Sequence, residues 1–289
     1  MMHLFLKIIN YGKMVKFHHS IFALPFALAG AAFASLDRGI TVSQIVWIVL
    51  AMVGARNAAM GFNRIADEKL DALNPRTASW ELQRKILKRW EVALFVLFLS
   101  ALFVFSAYML NRLCFYLSFV ALFIIFFYSF TKRLTWLSQL FLGLSLSIAP
   151  IGAWIAIRGD ITLVPIQLSL AVIFWVAGFD TIYACQDYEF DRKMRLFSIP
   201  QRFGIPAALK IAMAFHALSL VFLVLVIRFL PINPFIYTVG IIIIAVIMIY
   251  EHSLVKPHDL TKANIAFFNM NAIISLIYLG IAVASVMLA

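Results

Sequence analysis

The 289 residues are 64% hydrophobic and only 13% charged, with a net charge of +11 and a mean hydropathy of +0.98. Soluble domains hold roughly 45–50% apolar and 25% charged residues, so this composition excludes a water-soluble globular domain and calls for a polytopic membrane protein. The apolar runs are too long and continuous for barrel strands, which leaves an all-α bundle.

Nine spans are expected in chain order. A basic amphipathic opening, LKIINYGKMVK, leads into the first, residues 17–36. With no small-residue cleavage site, this segment reads as mature structure and not as a signal peptide. The second span, 44–62, contains Arg56 and runs into GFNRIADEKLDALNPRT, where Asn63, Asp67 and Asp71 recur every four residues. That spacing places their side chains on one helical face. Spans 92–110 and 113–130 follow, then the turn YSFTKRLT with Lys132 and Arg133, then spans 134–157 and 163–183. The sixth span holds Asp180 and Tyr183 and leads into DYEFD, where Asp187 and Asp191 repeat the four-residue spacing. Spans 207–230, 235–252 and 264–288 complete the chain.

Nineteen of the 24 Lys and Arg lie before span one or in and beside the loops after spans two, four, six and eight. Arg38, Arg112, Arg158 and Arg228 lie on the opposite side, and Arg56 lies within a span. The split predicts an inner-membrane protein with a cytoplasmic N-terminus, both acidic motifs cytoplasmic and the C-terminus outside. The net positive charge therefore needs no nucleic-acid partner. Cys114 and Cys185 fall at opposite faces and cannot form a disulfide with each other.

Like charges one turn apart oppose each other on a helix, and a divalent cation or its phosphate complex reverses that balance. The recurrence of a span, an acidic exit and a basic loop, offset by 120 residues between Asp67 and Asp187, suggests two related halves, 17–133 and 134–289, in one domain. If the exits converge, four carboxylates bring about −4, two Mg²⁺ about +4 and a diphosphate roughly −3. Lys132, Arg133 and one of Arg64, Arg192 or Lys193 balance the remainder. A diphosphate at the membrane surface with its tail in an apolar cavity describes a polyprenyl diphosphate. Ionisation would give an allylic cation, which aromatic walls shield until an electron-rich ring attacks it.

Through GFNRIADEKLDALNPRT, YSFTKRLT and DYEFD, spread over most of the chain, the sequence resembles the UbiA superfamily of intramembrane aromatic prenyltransferases. The resemblance implies nine helices and Mg²⁺ held through Asp67, Asp71, Asp187 and Asp191. It also implies that Asn63, Arg64, Lys132 and Arg133 hold the diphosphate. Asp180 and Tyr183 are further candidate substrate contacts. The NPRT tetrapeptide is similar to the 4-hydroxybenzoate branch, whereas KFHHSIFALPFAL is more similar to relatives associated with the futalosine route to menaquinone. The segment ASWEL departs from the family where an arginine is usual near Ser79 or Trp80. The aromatic acceptor is therefore 4-hydroxybenzoate or a naphthoate, with Lys16, His19 and Arg76 as candidate contacts, and protoheme- or chlorophyll-type transfer as a further alternative. A transporter would place its acids near the midplane, but residues 92–179 carry no acid inside a span.

Overall fold

The computed structural model describes the backbone of residues 2–289 and every side chain among them except those of residues 2–6, 8, 18, 19 and 21. The chain opens with the amphipathic α1 (Met2–Met14), a 3₁₀ turn (Phe17–Phe22) and α2 (Leu24–Ala34). The first half continues through α3 (Val42–Ala66), α4 (Glu68–Leu73), α5 (Arg89–Leu110) and α6 (Arg112–Thr131). The second half comprises α7 (Ser138–Arg158), α8 (Leu163–Ala184), α9 (Tyr188–Met194), α10 (Ile199–Phe203), α11 (Ile205–Leu225) and α12 (Pro234–Ser253). A π-helical turn (Ile265–Met270) then leads into α13 (Asn271–Met287). No named strand occurs among the described residues.

Among the described residues, eight helical segments are long and apolar enough to cross a bilayer. The remaining expected span, 17–36, is built in two pieces, the 3₁₀ turn and the 11-residue α2. Pro25 sits in the first turn of α2, where its missing N–H costs nothing, so a new helix starts there.

Polar caps fix where the long helices begin. Thr41 and Gln44 close a reciprocal capping box on α3, Asn111 accepts from the Cys114 N–H at 2.8 Å, and Asn233 accepts from the Ile236 N–H at 3.2 Å. The segment carrying α8 is the central one, with 56% of its span buried against 28–39% for the other long helices. It packs between α7 and α11, while α3 lies along α5 and α2 along α7. Trp175 and Phe179 of α8 join Phe26, Tyr237 and Tyr278 in the largest apolar core.

A candidate active site where the two acidic exits meet

Each acidic motif is a break in a helix. Asp67 ends α3 and precedes α4 with φ −98° and ψ 6°; Asp187 ends a short 3₁₀ turn after α8 and precedes α9 with φ −95° and ψ 6°. The uninterrupted face expected from the sequence is thus corrected at both first aspartates. The four-residue register nevertheless survives the first break, because the Asp67 N–H bonds to the Asn63 carbonyl and the Asp71 N–H to the Asp67 carbonyl. The second aspartate of each pair falls in the first turn of the short helix.

All four carboxylates line one cavity of about 410 Å³, together with Asn63, Asp180 and Tyr183. Lys16, Arg64, Arg76, Lys132 and Arg133 line it too, whereas Arg192 and Lys193 do not. The expected His19 contact falls on a side chain outside the described residues.

Each of the four motif carboxylates holds one cation. Arg133 donates to Asp67 Oδ1 at 2.6 Å, and Arg64 Nη1 lies 3.7 Å from Asp71 Oδ2. Arg76 grips Asp187 with two nitrogens, at 3.1 and 2.5 Å, and Lys132 Nζ lies 3.7 Å from Asp191 Oδ2. The adjacent pair Lys132–Arg133 therefore splits between the two motifs. Neutral donors complete the set, with Asn63 on Asp67 at 2.9 Å, Asn74 on Asp187 at 3.2 Å and Ser198 on Asp191 at 2.9 Å.

Burial dominates the electrostatics of the first motif. It pushes the Asp71 carboxyl up to about 6 against the opposing charge of Arg64, and raises Asp67 against Arg133. Burial works against the Lys132 ammonium, but the charges of Asp191, Asp187 and Asp180 outweigh it and hold its pKa above the ordinary lysine value. Lys16 has no such surplus of acids, and burial, with the charges of Arg64 and Arg76, lowers it to about 8.

Hard oxygen donors in pairs suit a small divalent cation, and Asp71 Oδ2 is buried without a hydrogen-bond partner among the described residues. No group of three or more His, Cys, Asp or Glu gathers among the described residues. Each pair thus offers part of a coordination shell, leaving positions for phosphate and water oxygens, as Mg²⁺ sites do. The residues fit such an ion.

Several contacts were not legible in the sequence. Trp80, where the family pattern has an arginine nearby, is an indole that collects two cations, with Arg64 at 3.6 Å and Lys16 at 4.9 Å from its centroid. Arg56 lines the same cavity and donates to the carbonyls of Val15 and Lys16 at 3.3 and 3.1 Å. Its signal was available, since a cation inside a span is a functional candidate by default. Asn74 opens the NPRT tetrapeptide and Ser198 precedes the Ile-Pro of the second loop, but no spacing names Asp187 or Asp191 as their partner.

Below the charged mouth the cavity is mostly apolar, Arg56, Ser118 and Ser145 being its polar exceptions. Its lining on α3 runs from Asp67 to Ile48, a reach of ~28 Å at the helical rise, and on α6 it extends to Cys114. At the charged end Tyr183 packs on Phe267 with centroids 4.2 Å apart, flanked by Phe179 and Phe22.

The profile of the UbiA prenyltransferase family matches residues 23–273. A 4-hydroxybenzoate octaprenyltransferase of Marinobacter nauticus is 28% identical over 97% of this chain and 96% of its own. One of Tolumonas auensis is 30% identical over 94% and 92%. The apo structure of a UbiA homolog from Aeropyrum pernix K1 superposes with a TM-score of 0.84 at 33% identity, covering 93% of this chain and 98% of that one. A UbiA homolog from Archaeoglobus fulgidus, solved with GPP and Mg²⁺, has a TM-score of 0.77 at 21% identity over 96% and 100% of the two chains, a likeness of fold.

Proposed function

Since the chain belongs to the UbiA prenyltransferase family, we propose that it transfers a polyprenyl group from its diphosphate to the ring of a 4-hydroxybenzoate-type acid in quinone biosynthesis. The observation that carries this reading is a mouth of four carboxylates, each matched to a cation, above an apolar cavity of bilayer depth. Such a mouth exchanges partners readily. Asp67 with Asp71, and Asp187 with Asp191, would each take a Mg²⁺, and the released Arg133, Arg64, Arg76 and Lys132 would turn to phosphate oxygens. Bound Mg²⁺ supplies neutralisation of the charge that develops on the leaving diphosphate.

The protein's own groups do the remainder. Asn63, Arg64, Lys132 and Arg133 orient the diphosphate, and the long apolar cavity takes the tail. Asp180 and Tyr183, near the end of α8 and within two turns of Asp187, lie where diphosphate gives way to tail. Tyr183, Phe267, Phe179 and Phe22 exclude water and offer π faces to the allylic cation. The acceptor's carboxylate finds Lys16 and Arg56, which line the cavity and hold none of the four aspartates, while Arg76 is engaged with Asp187 and the Tyr183 hydroxyl.

The whole chain forms one domain of two related halves clasped around this cavity, in the inner membrane with the mouth on the cytoplasmic side. The test is incubation of purified protein with polyprenyl diphosphates and aromatic acids, with products identified by mass spectrometry. Prenylated 4-hydroxybenzoate, lost on chelation and recovered with Mg²⁺, is the expected result. Full turnover in metal-free buffer overturns the metal assignment. A strong preference for a hydroxylated naphthoate would change the acceptor and leave the reaction class intact; the broad indole of Trp80 beside Lys16 favours that second reading.

A further inference from the structure

A second polar cluster, sharing no side chain with the four carboxylates or their cations, is buried in the aromatic part of the bundle. Asn271 has no exposed surface and stands where the π-helical turn passes into α13. Its Oδ1 accepts from Trp175 Nε1 at 2.7 Å, and its Nδ2 donates to Glu251 Oε1 at 2.9 Å. The same amide nitrogen faces the carbonyls of Ala266 and Phe267 at 3.0 and 3.1 Å. Glu251 is also fully buried, and its Oε2 has no hydrogen-bond partner among the described residues. Around them, His216 contacts the Trp175 carbonyl at 3.2 Å and His252 contacts His216 at 3.0 Å, tying α8, α11 and α12 together.

A carboxyl group and an amide fully buried among apolar side chains are costly, and simple stability is better served by apolar packing. What this cluster does is specific. A π-helical turn takes its carbonyls out of the regular helical ladder, and the Asn271 amide meets two of them. One belongs to Phe267, whose ring stacks on Tyr183; the Tyr183 hydroxyl in turn accepts from Arg76 Nη1 at 2.5 Å, and Arg76 holds Asp187. The polar cluster and the charged mouth thus meet at Phe267, which lines the cavity.

We infer that Asn271, held by Glu251 and Trp175, is a positioning residue that fixes the π-helical turn so that Phe267 closes the cavity wall beside the reacting carbon. The inference rests on the prenyl-transfer reading above. Its consequence is a partition. With Phe267 in place, the allylic cation forms its new C–C bond to the aromatic ring, which then loses a proton. With Phe267 displaced, water forms a C–O bond to the same carbon and loses a proton, giving the prenyl alcohol.

The measurement is the ratio of prenyl alcohol to prenylated acid, with thermal unfolding in detergent and hydrogen exchange over residues 265–270 recorded alongside. Wild-type transfer, measured first, tests the reading of function; the ratio among variants tests this inference. Asn271→Leu and Phe267→Leu are each expected to raise the ratio about tenfold. The double variant should exceed neither single one, because both act through one ring. Glu251→Gln, which keeps Oε1 as an acceptor, should retain the wild-type ratio, and Glu251→Leu should not. Exchange over 265–270 should rise in Asn271→Leu and stay unchanged in Phe267→Leu. Trp175→Phe removes one hydrogen bond, keeps an aromatic ring and should shift the ratio in the same direction, which preserves the test if the leucine variant fails to insert. A lowered unfolding temperature with an unchanged ratio, or effects of Asn271→Leu and Phe267→Leu that multiply, would overturn the inference.

Discussion

Lys16 adopts a left-handed backbone conformation, φ 46° and ψ 60°, that a residue with a side chain adopts at a cost. Arg56 holds it there through the Lys16 and Val15 carbonyls, and the ammonium lies against Trp80 in the cavity. Its pKa, lowered to about 8 by burial and by Arg64 and Arg76, gives the proposed acceptor site a pH dependence of defined sign. Below about 8 the lysine is charged and attracts a carboxylate; above it the charge is lost. We expect kcat/KM for the aromatic acid to fall as pH rises through about 8, and Lys16→Arg, charged throughout that range, to abolish the fall. An identical fall in both proteins would place the titrating group elsewhere. In the charged mouth, Asp67→Asn and Asp191→Asn keep the side-chain volume and remove a charge. Each is expected to lower turnover by at least about 100-fold while the protein still inserts, and a wild-type rate in either would remove that residue from the site.

At the level of helices, the site depends on interruptions. α3 stops at Asp67, and the 3₁₀ turn after α8 stops at Asp187 with nearly the same backbone angles; each restarts as a short helix whose aspartate lines the cavity. Close approach elsewhere holds the frame. Gly30 of α2 faces Pro150 of α7, where an added Cβ would lie 2.6 Å from the Pro150 carbonyl oxygen and 3.0 Å from its Cα. Backbone atoms cannot step aside as a flexible side chain would, so the helices themselves must separate. Gly30→Ala is accordingly expected to destabilise the protein by about 1–3 kcal/mol, read as a lower unfolding midpoint in detergent. A midpoint equal to that of the wild type would show that α2 has room to shift.

For the molecule as a whole, the important contacts run across the two halves. Asn74 and Arg76 of the first half reach Asp187 of the second, and Lys132, before α7, reaches Asp191. The Phe197 N–H also bonds to the Lys132 carbonyl at 2.7 Å, fixing the second basic loop against the turn between the halves. In the proposed topology the uneven distribution of Lys and Arg orients this assembly. In a sealed-vesicle experiment, Lys193→Cys should react with an impermeant maleimide only from the cytoplasmic side and Arg228→Cys only from the other. Both positions are exposed, and Cys114 and Cys185 are buried, so the native thiols contribute little background. Labelling of Lys193→Cys from the outer side would invert the proposed topology.

Partition into lipid and helical periodicity act over one span at a time. For that reason the apolar runs, the charge split and the spacings Asp67–Asp71 and Asp187–Asp191 could be read from the sequence alone, as could Asp180 and Arg56 as ionisable groups inside spans. What required the tertiary structure are choices among partners far apart in the chain. Arg76 grips Asp187 across 111 residues, and Lys132 and Arg133, adjacent in sequence, part company to serve different motifs. No periodicity encodes such pairings, because they depend on which helix ends the packing brings face to face. The same holds for Trp80, whose ring becomes a seat for two cations only when the loop after α4 folds over Lys16 and Arg64. It holds also for Asn271, whose partners Trp175 and Glu251 reach it only because α8, α12 and α13 converge around it.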